Sequence, residues 1–400
     1  MTRSWTASVG ALAVMFVTGL CSIGPVNAVV ASAIRGGGSK SAEASTAFQE
    51  NAAHSGSVNF GSGFRLPLKI RWGRSFEGDT SYPVIAHRKV FIAVQNSQDF
   101  SVKLYALSLA NGSTLWSQPL EGMYWAAPAY DGGNVFVSDN SGAVTAFDAL
   151  NGDPLWTVQA GNSVSAPIAI GGRVFVDGTS NSGTFLSAIE ASSGGVLWTV
   201  SNIVEPLDIP AGGEGGVYTC DVYKFSPVDG TQLWHYDSDC VSDWDAPVLY
   251  GGRLYIRDVD GNGNVVLNAA NGIPESTFGA YPPPAFFKGS NGKSYGVTLT
   301  DAQLFCFSTD TGNVIWSFAG DGKLSSAPLV VNGNVVVGSL SGNLYVLDGR
   351  SGSKLWVSNF GSPIEGPDER NRRYPLTGFA AGEGTLVVPA GSKVFALAPK

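Results

Sequence analysis

Histidine and cysteine are scarce, with three and four copies in 400 residues. His54, His87 and His235 are not spaced as metal ligands, and none stands beside a recognisable nucleophile. A Gly-x-Ser-x-Gly elbow and a phosphate-cradling glycine loop are both missing, so the commonest hydrolase and nucleotide-binding signatures are excluded. Charged residues make up only 14% of the chain, the net charge is −8, and Lys and Arg form no run. A groove that tracks phosphates needs a basic face, so nucleic acid is not expected as a partner. No apolar run reaches bilayer length; Ala11 to Leu20 is too short, and no transmembrane segment is expected.

That short run sits inside a secretory signal over residues 1–33. Arg3 is the positive start, and Val26-Asn27-Ala28 or Ala31-Ser32-Ala33 offers a small-residue cleavage site. Thr18-Gly19-Leu20-Cys21 makes a poor lipoprotein box, because Leu20 stands where a small residue is wanted. Soluble export, to the periplasm or beyond, is therefore expected over a lipid anchor at Cys21. Residues 34–47 are Gly/Ser/Ala-rich and aperiodic, which reads as a flexible leader. Of the cysteines left after cleavage, Cys220 and Cys240 are expected to pair, for about 3 kcal/mol in the chain-entropy picture. Cys306 falls where other repeats have Ala106, Ala146 and Ala188, a slot for a small buried side chain.

Glycine and tryptophan are plentiful, at 52 and 10. An apolar run, an Asn/Asp/Ser/Thr-Gly turn and a tryptophan four residues past the glycine recur along the chain, as in Ala146 to Trp156. Trp72, Trp116, Trp156, Trp198, Trp234, Trp316 and Trp356, with Phe278 as a degenerate member, lie 36 to 44 residues apart. Each interval holds a Pro-containing strand, a Gly-Gly or Asn-Gly hairpin, a β-branched strand and the Trp strand. Four short antiparallel strands at this period make a propeller blade. The C-terminal strands Leu386 to Leu397 lack a Trp strand, and Leu68 to Trp72 is a Trp strand with nothing before it. The fold expected over residues 48–400 is an all-β, eight-bladed β-propeller with four-stranded antiparallel blades, closed by pairing of its N- and C-terminal strands. A monomer is expected, with the tryptophans as structural wedges between blades.

The signature carried by Ala146, Asp148, Asn151, Gly152 and Trp156 resembles the tryptophan-docking motif of the pyrroloquinoline-quinone (PQQ) repeat family. Phe48 to Gly56 resembles the segment that precedes the first blade in such proteins. The resemblance implies one of two groups. Quinoprotein alcohol and glucose dehydrogenases hold PQQ and calcium at the propeller axis, whereas the PQQ-like repeat proteins, BamB among them, bind protein partners without a cofactor. The short chain and the lack of an adjacent Cys-Cys pair favour a cofactor-free scaffold for a protein or small ligand. A PQQ-dependent alcohol or sugar dehydrogenase is the alternative, and carbohydrate binding a second one.

Residues just before each blade's opening strand should ring the mouth of the axial channel. They are Trp125, Glu205, Asp243, Trp244, Asp245, Arg372, Arg373 and Tyr374, and they form the candidate ligand site. The charged connection Pro363 to Tyr374 should overhang the same face. Asp258, Asp260 and Asn262 match the first half of an oxygen-ligand calcium loop, but Ala269 stands where the bidentate acid belongs, so a Gly/Asn-rich hairpin accounts for the same residues. The sequence names no catalytic residue.

Overall fold

The computed structural model describes residues 44–203, 209–219, 222–236, 245–257, 264–369 and 373–400. Eight antiparallel sheets of four principal strands follow one another in chain order, and the described residues contain no α-helix. Blade 2 shows the plan: Ala126–Asp131, Asn134–Asp139, Ala143–Asp148 and Pro154–Gln159. In blade 8, Ala380–Gly382, Thr385–Ala390 and Lys393–Pro399 receive their outer strand from the other end of the chain. There Leu68–Ser75 pairs antiparallel with Lys393–Pro399, Trp72 opposite Ala396. Sequence ends therefore close the ring.

The tryptophans wedge each blade against the next. The Trp116 ring packs on the Gly152 turn of the following blade, and Trp156 packs on Gly194. A Cβ at Gly152 would lie 2.5 Å from the Trp116 indole, and its φ of +81° is one that glycine adopts freely. The indole N–H donates to the carbonyl three residues before the glycine: Trp72 to Leu109 (3.0 Å), Trp156 to Ala191 (3.0 Å) and Trp316 to Gly349 (2.9 Å). Trp116, Trp198 and Trp234 repeat the bond. Cys306 is buried opposite Trp316, its thiol pushed up to about 12 by burial.

Two junctions depart from this rule. Ser276, not Phe278, occupies the tryptophan register in blade 5, since Ser276 faces Val266 while Phe278 faces Asn264. Phe278 consequently misses the next turn, and nothing lies within 4 Å of a Cβ built on Gly312. Trp356 should dock on the third-to-fourth-strand turn of blade 8. The chain ends meet at that point, with Lys400 N–H donating to the Pro67 carbonyl (3.1 Å), so no glycine turn exists for it.

The axis is filled by the chain itself. A proline stands just before the opening strand in six blades and inside it, at Pro128, in blade 2, and it removes one N–H from the edge that faces the bore. Two residues on, the next N–H points the same way and needs a partner. Residues 44–58 supply those partners. Tyr130 N–H donates to the Thr46 carbonyl (2.8 Å), Gly212 to Ala52 (2.7 Å), Leu249 to Ala53 (2.8 Å), Phe286 to Ser55 (3.0 Å) and Val330 to Gly56 (2.7 Å). Ser45 exchanges both backbone bonds with Ile85, and Ala381 N–H donates to Glu50 Oε1 (2.6 Å). Seven of the eight blades are thus bonded to one strap. Ser45 and Ala47, read from sequence as the end of a flexible leader, are buried within it.

Candidate functional site

At the face where blade-to-blade connections emerge, the axis ends in an apolar plug. Phe48, Tyr82, Trp125, Ala166, Ile209, Ala246 and Leu376 pack together there. Trp125 is 1% exposed, so its ring packs the axis and offers no face to a ligand. This corrects the placing of Trp125 in the ligand site and removes one of the two mouth tryptophans, Trp125 and Trp244, that suggest carbohydrate binding. Tyr82 Oη donates to the Pro128 carbonyl (2.9 Å), tying blade 1 to blade 2 across the plug.

Beside the plug lies a buried ionic cluster. Arg257 follows the second strand of blade 5, Arg253–Ile256, and its side chain is 1% exposed. Its Nη1 and Nη2 donate to the two carboxylate oxygens of Glu369 at 2.7 and 2.8 Å. Asp245 adds a second carboxylate at 3.8 Å. The Tyr281 and Ala246 carbonyls accept further bonds at 2.8 and 3.2 Å, and Ala246 N–H donates to Glu369 Oε1 (3.1 Å). Burial raises the Glu369 carboxyl, and the guanidinium opposes that rise. Glu369 belongs to the Pro363 to Tyr374 connection between blades 7 and 8. That connection, expected to overhang the mouth, is instead latched onto blade 5 across it. Asp245 is engaged in the same cluster and is buried.

Two titratable groups of the strap face the interior. Burial raises the Glu50 carboxyl to about 8, outweighing its hydrogen bonds to Ala381 and Ser45, so it is neutral at pH 7. Burial lowers His54 to about 4; the Pro247 carbonyl opposes this and the Arg257 charge adds to it. His54 Nδ1 lies 3.0 Å from that carbonyl, which makes Nδ1 the protonated nitrogen of a neutral ring.

The open surface of the mouth lies on either side of the latched connection. A cleft of about 820 Å³ is lined by Asn264, Phe278, Tyr281, Leu299, Asp301, Leu324 and Asp368 among others. A second, of about 320 Å³, is lined by Asp79, Glu365, Asp368 and Tyr374. Both share Gly366 and Asp368. Arg373 and Tyr374 are exposed here, and the Arg373 carbonyl accepts from Gln95 Nε2 (2.7 Å). Glu205, Asp243, Trp244 and Arg372 lie outside the described residues, as do Asp258, Asp260, Asn262, Cys220 and Cys240.

Sequence reasoning overlooked Arg257, set His54 aside, and gave Glu50 and Glu369 no role of their own within the segments it singled out. For Arg257 a signal existed. The equivalent slot holds Ala93 in blade 1, Ser138 in blade 2, Gly338 in blade 7 and Pro389 in blade 8, so a buried arginine breaks the repeat, as Asp177 does in blade 3. Glu369 carries no such mark, because connections between blades follow no repeat.

The family model described as outer membrane protein assembly factor BamB matches residues 98–214 and 282–400. BamB of Yersinia pestis is 24% identical over 321 residues, covering 71% of this chain and 77% of that protein. Tetrathionate hydrolase of Acidithiobacillus ferrooxidans is 25% identical over 241 residues, 42% of this chain and 48% of its own. Among solved structures, BamB from Moraxella catarrhalis superposes with a TM-score of 0.64 at 17% identity, covering 84% of this chain and 98% of that one. A europium-containing methanol dehydrogenase gives 0.67 at 13% identity, covering 90% and 98%. At such identities the structural likeness establishes the propeller and nothing more. The family match spans more than half of the sequence, and the chain belongs to the BamB family of PQQ-repeat propellers.

Proposed function

We propose that this chain is an exported interaction scaffold that grips a protein partner at the connection face, using the two clefts beside Gly366–Asp368 and no quinone. The observation that carries this reading is the filled axis. The strap occupies the bore, and the Arg257–Glu369 latch closes it beneath the face. What remains for recognition is the clefted surface, with the exposed rings of Tyr281 and Tyr374 (60% and 51%) on it. Rigid aromatic side chains around concave surface suit a protein interface. The assembly factors named among the relatives agree with a partner-binding role.

A quinone with calcium suits these residues poorly. Two carboxylates near the axis, Asp245 and Glu369, already neutralise a guanidinium that would repel a second cation. Among the described residues no cluster of three His, Cys, Asp or Glu is placed to hold a metal ion. Nor is any helix among them long and apolar enough to cross a membrane. The export signal read in residues 1–33 completes the proposal.

Photo-crosslinking residues placed at Tyr281 and Tyr374 in the native host should capture the same protein, while one at Leu155 on the rim should not. Capture from Leu155 alone would overturn the reading. Turnover of an alcohol or sugar after incubation with PQQ and Ca²⁺ would overturn it equally.

A further inference from the structure

We infer that the ring of opening strands is a peptide-binding site, reading a looped polypeptide rich in small residues through its backbone, and that residues 44–58, which turn at Phe48–Glu50 and again at 51–53, are its resident ligand. Main-chain bonds supply the grip, as when a peptide adds to an exposed sheet edge, and side-chain pockets set the register. Here the edge is divided among blades: carbonyls of Thr46, Ala52, Ala53, Ser55 and Gly56 each accept from a different one. Small residues are demanded where the ring is tight. A Cβ on Gly56 would lie 2.8 Å from Ala285 Cβ and 3.0 Å from its Cα, at a φ of +59°. Three larger side chains fix the register. Phe48 packs on Tyr82 at 5.3 Å between ring centres, Glu50 accepts from Ala381, and His54 donates to Pro247. None of these contacts needs the covalent link through residues 59–67, so the strap should stay in place when that link is cut.

The test uses the full-length chain with a protease site introduced between the exposed Gly61 and Gly63, cleaved after folding. The N-terminal fragment should co-elute with the ring on gel filtration. An excess of fluorescent peptide 44–61 should then replace it, and the same peptide carrying Gly56→Val should be taken up about tenfold more weakly. Departure of the fragment, unfolding of the ring on cleavage, or retention that no excess of peptide displaces would overturn the inference. Equal uptake of the two peptides would overturn it as well. Partner capture at the clefts is not involved, so loss of the scaffold reading leaves this one standing.

Discussion

At the rim, a tryptophan meets a glycine turn and six junctions look alike; near the axis, the slot that holds Arg257 in blade 5 holds Ala93, Ser138, Gly338 and Pro389 in blades 1, 2, 7 and 8. Rim contacts, an indole face on a glycine turn with one N–H bond to a carbonyl, are local and repeated, so each contributes its own increment and the loss of one leaves its neighbours intact. The axis gathers single-copy groups from distant parts of the chain: Glu50 and His54 from the strap, Arg257 from blade 5, Glu369 from a connection near the C-terminus. Arg257 and Glu369 hold one another, so removing either strands its partner, and the Arg257 charge also reaches His54. A repeat supplies stability in portions, whereas the centre supplies it as a unit.

The widest gap between the two regions should appear when the ionic cluster is broken. Glu369→Ala leaves the buried Arg257 with the Asp245 carboxylate at 3.8 Å as its nearest counter-charge and should cost about 3–5 kcal/mol in urea unfolding. Replacing both partners together, Arg257→Met with Glu369→Leu, should recover most of that loss. A Glu369→Ala protein as stable as the parent would show that the axis behaves like the rim.

Within the rim, Trp156→Ala should cost about 3 kcal/mol by the same measurement. Trp356, whose target turn is the meeting point of the chain ends, should cost roughly 1 kcal/mol less, the worth of the missing indole bond. Equal losses would mean that docking on glycine adds nothing to simple burial.

The smallest effect separates the regions by pH. An acid raised to about 8 from 4.5 lends full stability below its ordinary value and loses it as pH climbs toward 8. A histidine lowered to about 4 from 6.5 lends stability above 6.5 and loses it as pH falls toward 4. The two slopes offset one another between pH 4.5 and 6.5. From pH 6.5 to 8 Glu50 acts alone, and the parent should lose about 2 kcal/mol relative to Glu50→Gln. Parallel pH profiles of the two proteins would show that Glu50 is already ionised in its pocket.

Repetition is what made the rim readable. Gly152 and Trp156 announce their roles because five other repeats place the same pair at the same spacing. Blade number and ring closure follow from that count and from the two incomplete ends. Ser276 shows where repetition gives out: the degenerate copy ends on Phe278, two residues late, and the structure puts Ser276 in the tryptophan register with no ring to wedge. The axis stayed hidden for the opposite reason. Glu369 and Arg257 are 112 residues apart, and neither spacing nor composition foretells such a pairing. A plugging role for Trp125 was open from sequence beside a ligand-binding one; what stayed hidden is its packing with Phe48, which the strap brings from far upstream.

The strand order of blade 8 also dictates when the molecule can be finished. Its outer strand is synthesised first and its other three last, so an incomplete nascent chain has no partner for Leu68–Ser75. The strap is delayed in the same way, because its bonds reach from Ile85 to Ala381. Contacts this distant in sequence make for slow folding. Trp72 and the segment before it must therefore wait, unpaired, until the whole polypeptide has been delivered.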